Sequence, residues 1–290
     1  MTKSNKKATE NVANDAPQEK GALNLGNLKL NRKVIVILST VVVIAGLFLA
    51  FTGLFLAFKY FYLDPKEEKA QTQLAEAEQL VNGQALAQLD QILNEISRAE
   101  AELEQKGDTA PAGLNDSIKK NTANFEKAKA DIYNKALKGD GKTPGLLKIA
   151  GMGMTSAANI AKAQAGICYY KLGNYKEAIK MLEDFTPQGD KGVSPQYIAA
   201  LANCYAADGQ LDKAVDTFKK AASEADNAAT SPQYLIEAGL LLESQKKNDE
   251  ALKIYEQIKK DYPQSALVAP QQMQGGYVSA IDKYIERVSK

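Results

Sequence analysis

The sequence predicts an all-α protein: a single N-terminal transmembrane helix, a helical spacer, and an α-solenoid of repeated hairpins with a C-terminal capping helix. Three observations predict this. Residues 34–58 are 25 consecutive uncharged, mostly apolar residues. From Pro65 onward, apolar residues recur largely at helical steps of three and four. Three later segments align at offsets of 36 and 37 residues, and repeats of this length are typical of stacked helical hairpins.

Charge is unevenly distributed along the 290 residues. Residues 1–33 contain seven basic and three acidic residues, whereas residues 59–290 contain 29 basic and 32 acidic residues. Because nucleic-acid-binding domains are strongly basic, this mildly acidic body predicts a protein that does not bind nucleic acid.

The chain contains no histidine, no tryptophan and two cysteines. Without histidine it cannot form a Ser–His–Asp triad or a Cys–His nucleophile, and it lacks the commonest general base. Two cysteines cannot make a four-thiolate zinc site. Catalysis through Asp, Glu, Lys or Tyr remains open, but the composition favours a non-enzymatic protein with no cofactor and no bound metal.

Residues 34–58 are long enough to cross a bilayer. As a helix, 25 residues extend about 37 Å, and the hydrocarbon core is about 30 Å thick. A cleaved signal peptide is the alternative, but its apolar region would have only about 7–15 residues. We therefore expect a retained single-pass anchor in contact with the lipid bilayer.

The flanking residues predict the orientation of this anchor. Residues 1–33 are polar and lack periodicity, which indicates a disordered basic tail. Lys29, Arg32 and Lys33 lie close to its N-terminal end. Because basic residues favour the cytoplasmic side, we expect a cytoplasmic N-terminus and a periplasmic C-terminal domain at a bacterial inner membrane.

Four small residues of the apolar segment lie at spacings of 4, 3 and 4: Gly46, Ala50, Gly53 and Ala57. Such spacing puts them on one helix face, where small side chains allow another helix to approach closely. We expect either a homodimer contact or a docking face for another membrane protein. The alternative is a local duplication, because GLFLAF occurs at 46–51 and again at 53–58.

The helical spacer is predicted over residues 64–116. Its periodic part, 66–106, is either one long helix or two stacked helices, because Asn82–Gly83 can interrupt it. Residues 117–158 are expected to form a degenerate helical hairpin before the repeats. At the other end, residues 276–288 are amphipathic, and we expect them to form a helix that covers the last apolar face of the solenoid.

Three segments repeat one pattern of small and large residues. They begin at Asn159, Pro195 and Pro232. Small residues would lie where helices cross, and large ones would fill the grooves beside the crossing. The matched positions are Gly166, Ala202 and Gly239; Tyr169, Tyr205 and Leu242; Ala178, Ala214 and Ala251; Leu182, Phe218 and Tyr255; and Phe185, Ala221 and Ile258.

This set of positions resembles the tetratricopeptide repeat, whose period is about 34 residues. The resemblance covers residues 159–265 and implies three repeats. In the family, the first helix of each hairpin lines a concave surface, so the resemblance implies a protein-binding groove. The alternative is a surface needed only for solubility. By alignment its residues are Ile160, Ala163, Ile167, Tyr170, Lys171, Gln196, Ala199, Asn203, Gln233, Ile236, Leu240 and Glu243.

Two further patterns have a structural interpretation. Gly139–Thr143 reads GDGKT, but the earlier glycine of a P-loop is replaced by Ala136 and a helix precedes it, so a helix end and turn are expected. Cys168 and Cys204 occupy equivalent places in successive repeats. Neighbouring helices lie about 8–10 Å apart, so we expect two separate packed thiols.

The order of the parts resembles the single-pass envelope proteins typified by the ancillary subunit of the bacterial Sec translocon. The stretches 136–141, 144–146 and 165–170 resemble related membrane-anchored repeat proteins of Bacteroidetes bacteria. The resemblance implies a scaffold, and its expected partners are translocon subunits, secreted chains or periplasmic chaperones. The alternative function is an oligomeric structural coordinator of envelope assembly or division, formed through the spacer.

Overall fold

The computed structural model describes residues 32–81, 83–107, 111, 113–273 and 276–289. The chain divides into two units, residues 1–57 and residues 58–290. The predicted cytoplasmic tail lies almost entirely outside the described residues. The architecture is all-α, as predicted, with one short strand pair added near the C-terminus.

Helix α1 spans Arg32–Phe58. From Thr40 to Phe58 its large apolar side chains are exposed. Among the described residues, this is the one helix that is long and apolar enough to cross a membrane. A single π-helical turn, Lys59–Leu63, follows directly, and its Tyr60 and Phe61 are exposed.

The spacer forms two helices separated by a short break. Helix α2 spans Asp64–Glu78, a 3-10 turn spans Gln79–Val81, and α3 spans Gly83–Lys106. Pro65 lies in the first turn of α2, where its missing N–H costs no helical hydrogen bond. The question that the sequence left open is therefore answered: the spacer is not one helix.

The pairing of the next helices differs from the expectation. Helix α4 spans Leu114–Lys138, and α5 is a short helix, Leu146–Ala150. Helix α4 packs chiefly against α3, because α3 buries Leu89 and Ile96. Helix α3, in the predicted spacer of 64–116, therefore pairs with α4, most of which lies in the predicted hairpin of 117–158. The main hairpin is α3–α4, and α5 is too short to complete a second one.

Three antiparallel hairpins follow. The first is α6 with α7, the second α8 with α9, and the third α10 with α11. Their bounds are Ser156–Lys171, Tyr175–Glu183, Val193–Ala207, Leu211–Ala225, Ser231–Ser244 and Asn248–Asp261. The small residues predicted at the helix crossings, including Ala178, Ala214 and Ala251, are completely buried.

The capping helix begins later than predicted. Residues Gln271–Met273 and Gly276–Val278 form the antiparallel strands β1 and β2, and α12 spans Ala280–Val288. The predicted start at 276 is therefore wrong. Ser279 and Asp282 form a capping box, which fixes the helix start at Ala280. Helix α12 packs against α11, with Ile281 completely buried.

Candidate functional site

Helix α2 is docked along α6, the first helix of the repeats. The Glu67 carboxylate accepts hydrogen bonds from the backbone N–H groups of Ser156 and Ala157, at 2.6 and 3.2 Å. Thr155 Oγ1 accepts from the N–H of Ala158 at 3.0 Å. Since the first N–H groups of a helix have no partner within it, the spacer completes the amino-terminal cap of α6.

The two helices run in the same direction. Near the start of α6, Lys66 Nζ lies 3.2 Å from where a Cβ of Gly153 would be. Two turns into α6, Gln164 Nε2 donates to the Glu78 carboxylate at 2.5 Å. Between these polar contacts the α2 residues Ala70, Leu74 and Ala77 are buried. They belong to one apolar cluster with residues of α4, α5 and α6.

A mainly apolar pocket opens where α2 ends and the chain turns into α3. Its volume is about 270 Å³. Its polar side chains are Glu78 and Gln164, which are hydrogen-bonded to each other, and Tyr133, which contributes a hydroxyl. The lining residues are Ala77, Glu78, Val81, Leu86, Tyr133, Leu146, Gln164, Ile167 and Cys168. The pocket exists because helices α2 to α6 and the 3-10 turn meet there without filling the space.

Burial dominates the chemistry of this pocket. It raises the pKa of the Tyr133 hydroxyl, with smaller contributions from Cys168 and Asp90. It also raises the pKa of the Cys168 thiol to about 12. Both groups are therefore neutral at physiological pH, and the site offers apolar contact with an uncharged hydroxyl rather than a nucleophile.

The contact between the helices of each hairpin depends on small residues. A methyl group at Gly166 would lie 2.6 Å from Cγ of Leu182. One at Gly239 would lie 2.7 Å from Oη of Tyr255. These are the paired positions of the repeating pattern, so the pattern encodes close helix crossing.

Comparison with known protein families agrees with this geometry. One tetratricopeptide-repeat family model matches residues 164–186 and 234–265, and a second matches residues 198–231. The three hairpins are tetratricopeptide repeats. No curated protein matches the sequence. Proteins built from tetratricopeptide repeats are generally non-enzymatic scaffolds that bind other proteins.

Three of the predicted groove residues belong to the core of the tetratricopeptide repeats. Ala163 has 0% of its surface exposed, and Ala199 and Ile236 have 7% each. Ala163 packs with residues of the second repeat, and Ala199 and Ile236 belong to the cluster of the second and third repeats. These three residues are therefore buried and do not line an open groove, contrary to the prediction. Helices of adjacent repeats approach closely at these positions, which leaves no surface for a partner.

The other predicted residues lie in different surroundings. Ile167 lines the apolar pocket, and Ile160 lines a second cavity of about 240 Å³ with residues at the start of α8. The Tyr170 ring packs against Tyr175, with 5.8 Å between centroids. Leu240 is half-buried, and the polar members Lys171, Gln196, Asn203 and Gln233 are exposed. Of the twelve, only Ile167 reaches the apolar pocket.

Glu243 is bound by the capping helix. Arg287 donates two hydrogen bonds to its carboxylate, at 2.8 and 2.7 Å, and Tyr255 donates a third at 2.5 Å. Burial works against ionisation of Glu243, but these three bonds outweigh it and lower the pKa of the carboxyl. The predicted groove therefore ends at a structural ion pair on its C-terminal side.

The remaining motifs are structural. Asp140 Oδ1 accepts from the N–H groups of Lys142 and Thr143, which closes the GDGKT segment into a turn. Cys168 and Cys204 are buried free thiols in two different apolar clusters. Within the described ranges, no group of three or more Cys, Asp or Glu side chains is placed to hold a metal ion.

The small-residue face of α1 is fully exposed. Gly46, Ala50, Gly53 and Ala57 are all exposed, and a methyl group added at Gly46 or Gly53 would meet nothing within 4 Å. Contact of this face with another helix remains a prediction. Sequence reasoning missed the apolar pocket, because the helices that line it come from separate parts of the chain.

Proposed function

We propose that this protein is a membrane-anchored tetratricopeptide-repeat scaffold that binds other proteins in the cell envelope, in a role ancillary to protein translocation. On this proposal, α1 spans the inner membrane with the N-terminus in the cytoplasm, and the repeats lie in the periplasm. On this proposal the protein acts by binding other proteins and not as an enzyme, in keeping with a sequence that has no histidine to serve as a general base.

The observation that carries the proposal is the apolar pocket between the spacer and the first repeat. A buried apolar cavity of about 150 Å³ holds a benzene molecule, and small-molecule sites usually occupy about 300–1,000 Å³. At about 270 Å³, the pocket suits one large apolar side chain of a protein segment. The half-buried Ile167 continues the surface from the pocket onto the first repeat.

The charge around the pocket favours a basic partner segment. Residues 64–106, which form the spacer helices, contain ten acidic and four basic residues. A segment with an apolar residue flanked by Lys or Arg would match both the pocket and its surroundings. Translocon subunits, emerging secreted chains and periplasmic chaperones are the partners we propose to test.

The test uses two matched variants. Leu86 lines the pocket and is 38% exposed, whereas Leu93 lies seven residues later on the same helix, is 46% exposed and does not line it. We would purify full-length wild-type, Leu86→Glu and Leu93→Glu proteins from their own membranes in mild detergent and identify bound proteins by mass spectrometry.

The proposal expects translocon subunits or secreted chains to be enriched with the wild type and with Leu93→Glu. Leu86→Glu should weaken binding by about ten-fold to one hundred-fold, since burial of an apolar side chain contributes about 1.5–3 kcal/mol. Equal binding by both variants would show that the partner does not bind in the pocket. A phosphatase fused after Lys290 that stays inactive would overturn the periplasmic placement.

A second candidate function is an oligomeric coordinator of envelope assembly or division. The observation that favours it is the pair of exposed leucines, Leu86 and Leu93, one heptad apart on α3. Such spacing suits packing against a second copy of the spacer. If the protein has this function, light scattering of the detergent-solubilised protein should show an oligomeric wild type and monomeric Leu86→Glu and Leu93→Glu variants. A monomeric wild type would rule this candidate out.

A further inference from the structure

The loops that precede the first helix of each repeat form one continuous edge of the solenoid. These loops are residues 151–155, 186–192 and 226–230, and we call them the amino-terminal edge. Gln188 Nε2 donates to Ser156 Oγ at 3.0 Å, which joins the second loop to the first residue of α6, directly after the first loop. Lys191 and Asp226 form an ion pair at 2.7 Å, which joins the second to the third.

The start of α2 lies at this edge. Glu67 caps the start of α6, and Lys66 Nζ lies beside Gly153. The aromatic turn immediately before α2 includes Tyr60 and Tyr62, which are 70% and 52% exposed. Exposed aromatic residues that follow an apolar helix are typical of the boundary between hydrocarbon and headgroups.

The height of the edge above that boundary follows from helix geometry. Lys66 is four residues beyond Tyr62, which is about 6 Å along a helix. The headgroup layer on each side of a bilayer is about 5–7 Å thick. Gly153, beside Lys66, therefore lies no farther along α2 from the Tyr60–Tyr62 turn than about the thickness of one headgroup layer.

The side chains of the edge have the chemistry of an interfacial surface. Met154 is 82% exposed and Val193 is 51% exposed, and both are on the edge or immediately after it. A notch of about 570 Å³ beside Met154 is lined by both apolar and polar groups, and its polar side chains include Asn159, Lys162 and Thr186. The charged residues of the edge loops are Asp190, Lys191 and Asp226, and the last two are paired with each other. Exposed apolar side chains beside polar groups are typical of a surface that rests on a bilayer without crossing it.

We propose that the amino-terminal edge rests on the bilayer surface, with Met154 and Val193 inserted among the lipid headgroups. This proposal depends on the proposed membrane anchoring of α1. The edge then provides a second lipid contact, and it holds the repeats against the membrane with their helix axes rising from it. The turns at the opposite edge, including Asn174, lie about 24 Å farther out, the length of a helix of 16 residues such as α6.

The experiment places a single fluorescent label at either edge of the full-length protein. Met154→Cys labels the amino-terminal edge, and Asn174→Cys labels the exposed turn between α6 and α7. The native Cys168 and Cys204 are 4% and 0% exposed, and burial raises the pKa of both thiols to about 12, so they will not compete for the label. Both proteins are reconstituted into phosphatidylcholine–phosphatidylglycerol vesicles that contain a headgroup-nitroxide lipid.

We expect the label at 154 to be quenched several-fold more strongly than the label at 174. A Val193→Cys label should follow the label at 154. Equal quenching at 154 and 174, in protein that floats with the vesicles, would overturn the edge contact and leave the anchor intact. Protein that does not float with the vesicles would overturn the anchor and the edge contact together.

Discussion

Glu67 and Ser156 are 89 residues apart in the chain, yet Oε2 of Glu67 lies 2.6 Å from the backbone nitrogen of Ser156. The contact places a carboxylate at the amino-terminus of α6, where unsatisfied N–H groups and the helix dipole favour negative charge. It also fixes the spacer on the first repeat. Helices α2 and α6 share one apolar cluster, so the spacer and the repeats are one folded body rather than a rod joined to a solenoid.

We predict that Glu67→Ala lowers the free energy of unfolding by about 1–2 kcal/mol, the usual cost of losing a side-chain cap. The N–H groups of Ser156 and Ala157 would lose their acceptor, and α2 would lose its fixed position. The change should appear in urea unfolding followed by circular dichroism, and as faster hydrogen exchange in α2.

Glu68→Ala is the matched control, because Glu68 has the same side chain one residue later and is exposed. It should change stability by less than about 0.5 kcal/mol, as most surface substitutions do. Identical effects of the two variants would show that the carboxylate at position 67 does not hold the spacer.

Gly239 is required by the close approach of Tyr255. We predict that Gly239→Ala destabilises the third repeat by about 1–3 kcal/mol, the usual cost of overpacking a core. Tyr255 cannot move aside, because it is completely buried and its hydroxyl is bonded to Glu243. Urea unfolding of the full-length protein measures the loss.

Two other glycines calibrate this prediction. Gly166→Ala should cost less than Gly239→Ala. Its new methyl group would meet the more flexible Leu182 side chain at 2.6 Å and the carbonyl oxygen of Ala178 at 3.1 Å, whereas the methyl group at 239 would lie still closer to the Tyr255 ring. Gly83→Ala meets nothing within 4 Å and should stabilise α3 by about 0.4–1 kcal/mol. If all three substitutions behaved alike, helix crossing would not explain the repeated small residues.

The repeats could be predicted because their pattern is local. The spacing from Gly239 to Ala251 and Tyr255 lies within one hairpin, and it encodes directly where two neighbouring helices cross. The same local logic identified α3 and α4 as helices but not as partners. Periodicity shows which face of a helix is apolar, and it does not show which other helix covers that face.

The contacts that build the pocket could not be read in this way. Ala77 and Ile167 meet only because α2 docks on α6, and no pattern within one helix specifies that contact. The late start of α12 has a similar cause. Tyr277 and Val278 fit a helical period with later residues, but the capping box at Ser279 and Asp282 sets the boundary.

We predict that the start of α8 is destabilised by acid, because it is held by hydrogen bonds to the Asp190 carboxylate. Its carboxylate accepts from Ser194 Oγ at 2.5 Å and from the N–H of Gly192 at 3.0 Å. The hydrogen bond from Ser194, and then those from backbone N–H groups, lower the pKa of Asp190 from 3.8 to about 2. Since the folded-state pKa lies below the unfolded value, Asp190 stabilises the fold above about pH 4, and this is lost as the pH falls towards 2.

The test measures the free energy of unfolding in urea, from pH 5 to pH 2.5, for the wild type and for variants at Asp190 and Asp216. Wild type should lose more free energy of unfolding over this range than Asp190→Asn, which has no carboxyl to protonate. Asp216→Asn, at an exposed position on α9, should keep the wild-type pH dependence. A parallel pH dependence of wild type and Asp190→Asn would contradict the role assigned to Asp190.

Arg287 holds the capping helix on the last repeat through Glu243. The guanidinium makes two bonds to the carboxylate, and the side chain of Glu243 is only 18% exposed. We predict that Arg287→Ala lowers the free energy of unfolding by about 1 kcal/mol, a modest value because the arginine itself is half exposed. The loss should be concentrated in α12, where hydrogen exchange should accelerate, because the third repeat keeps its own core.

Lys283→Ala, at an exposed position on the same helix, should leave that exchange unchanged. If α12 exchanged equally slowly in Arg287→Ala, burial of Ile281 alone would hold the helix, and the ion pair would be a surface contact without energetic consequence.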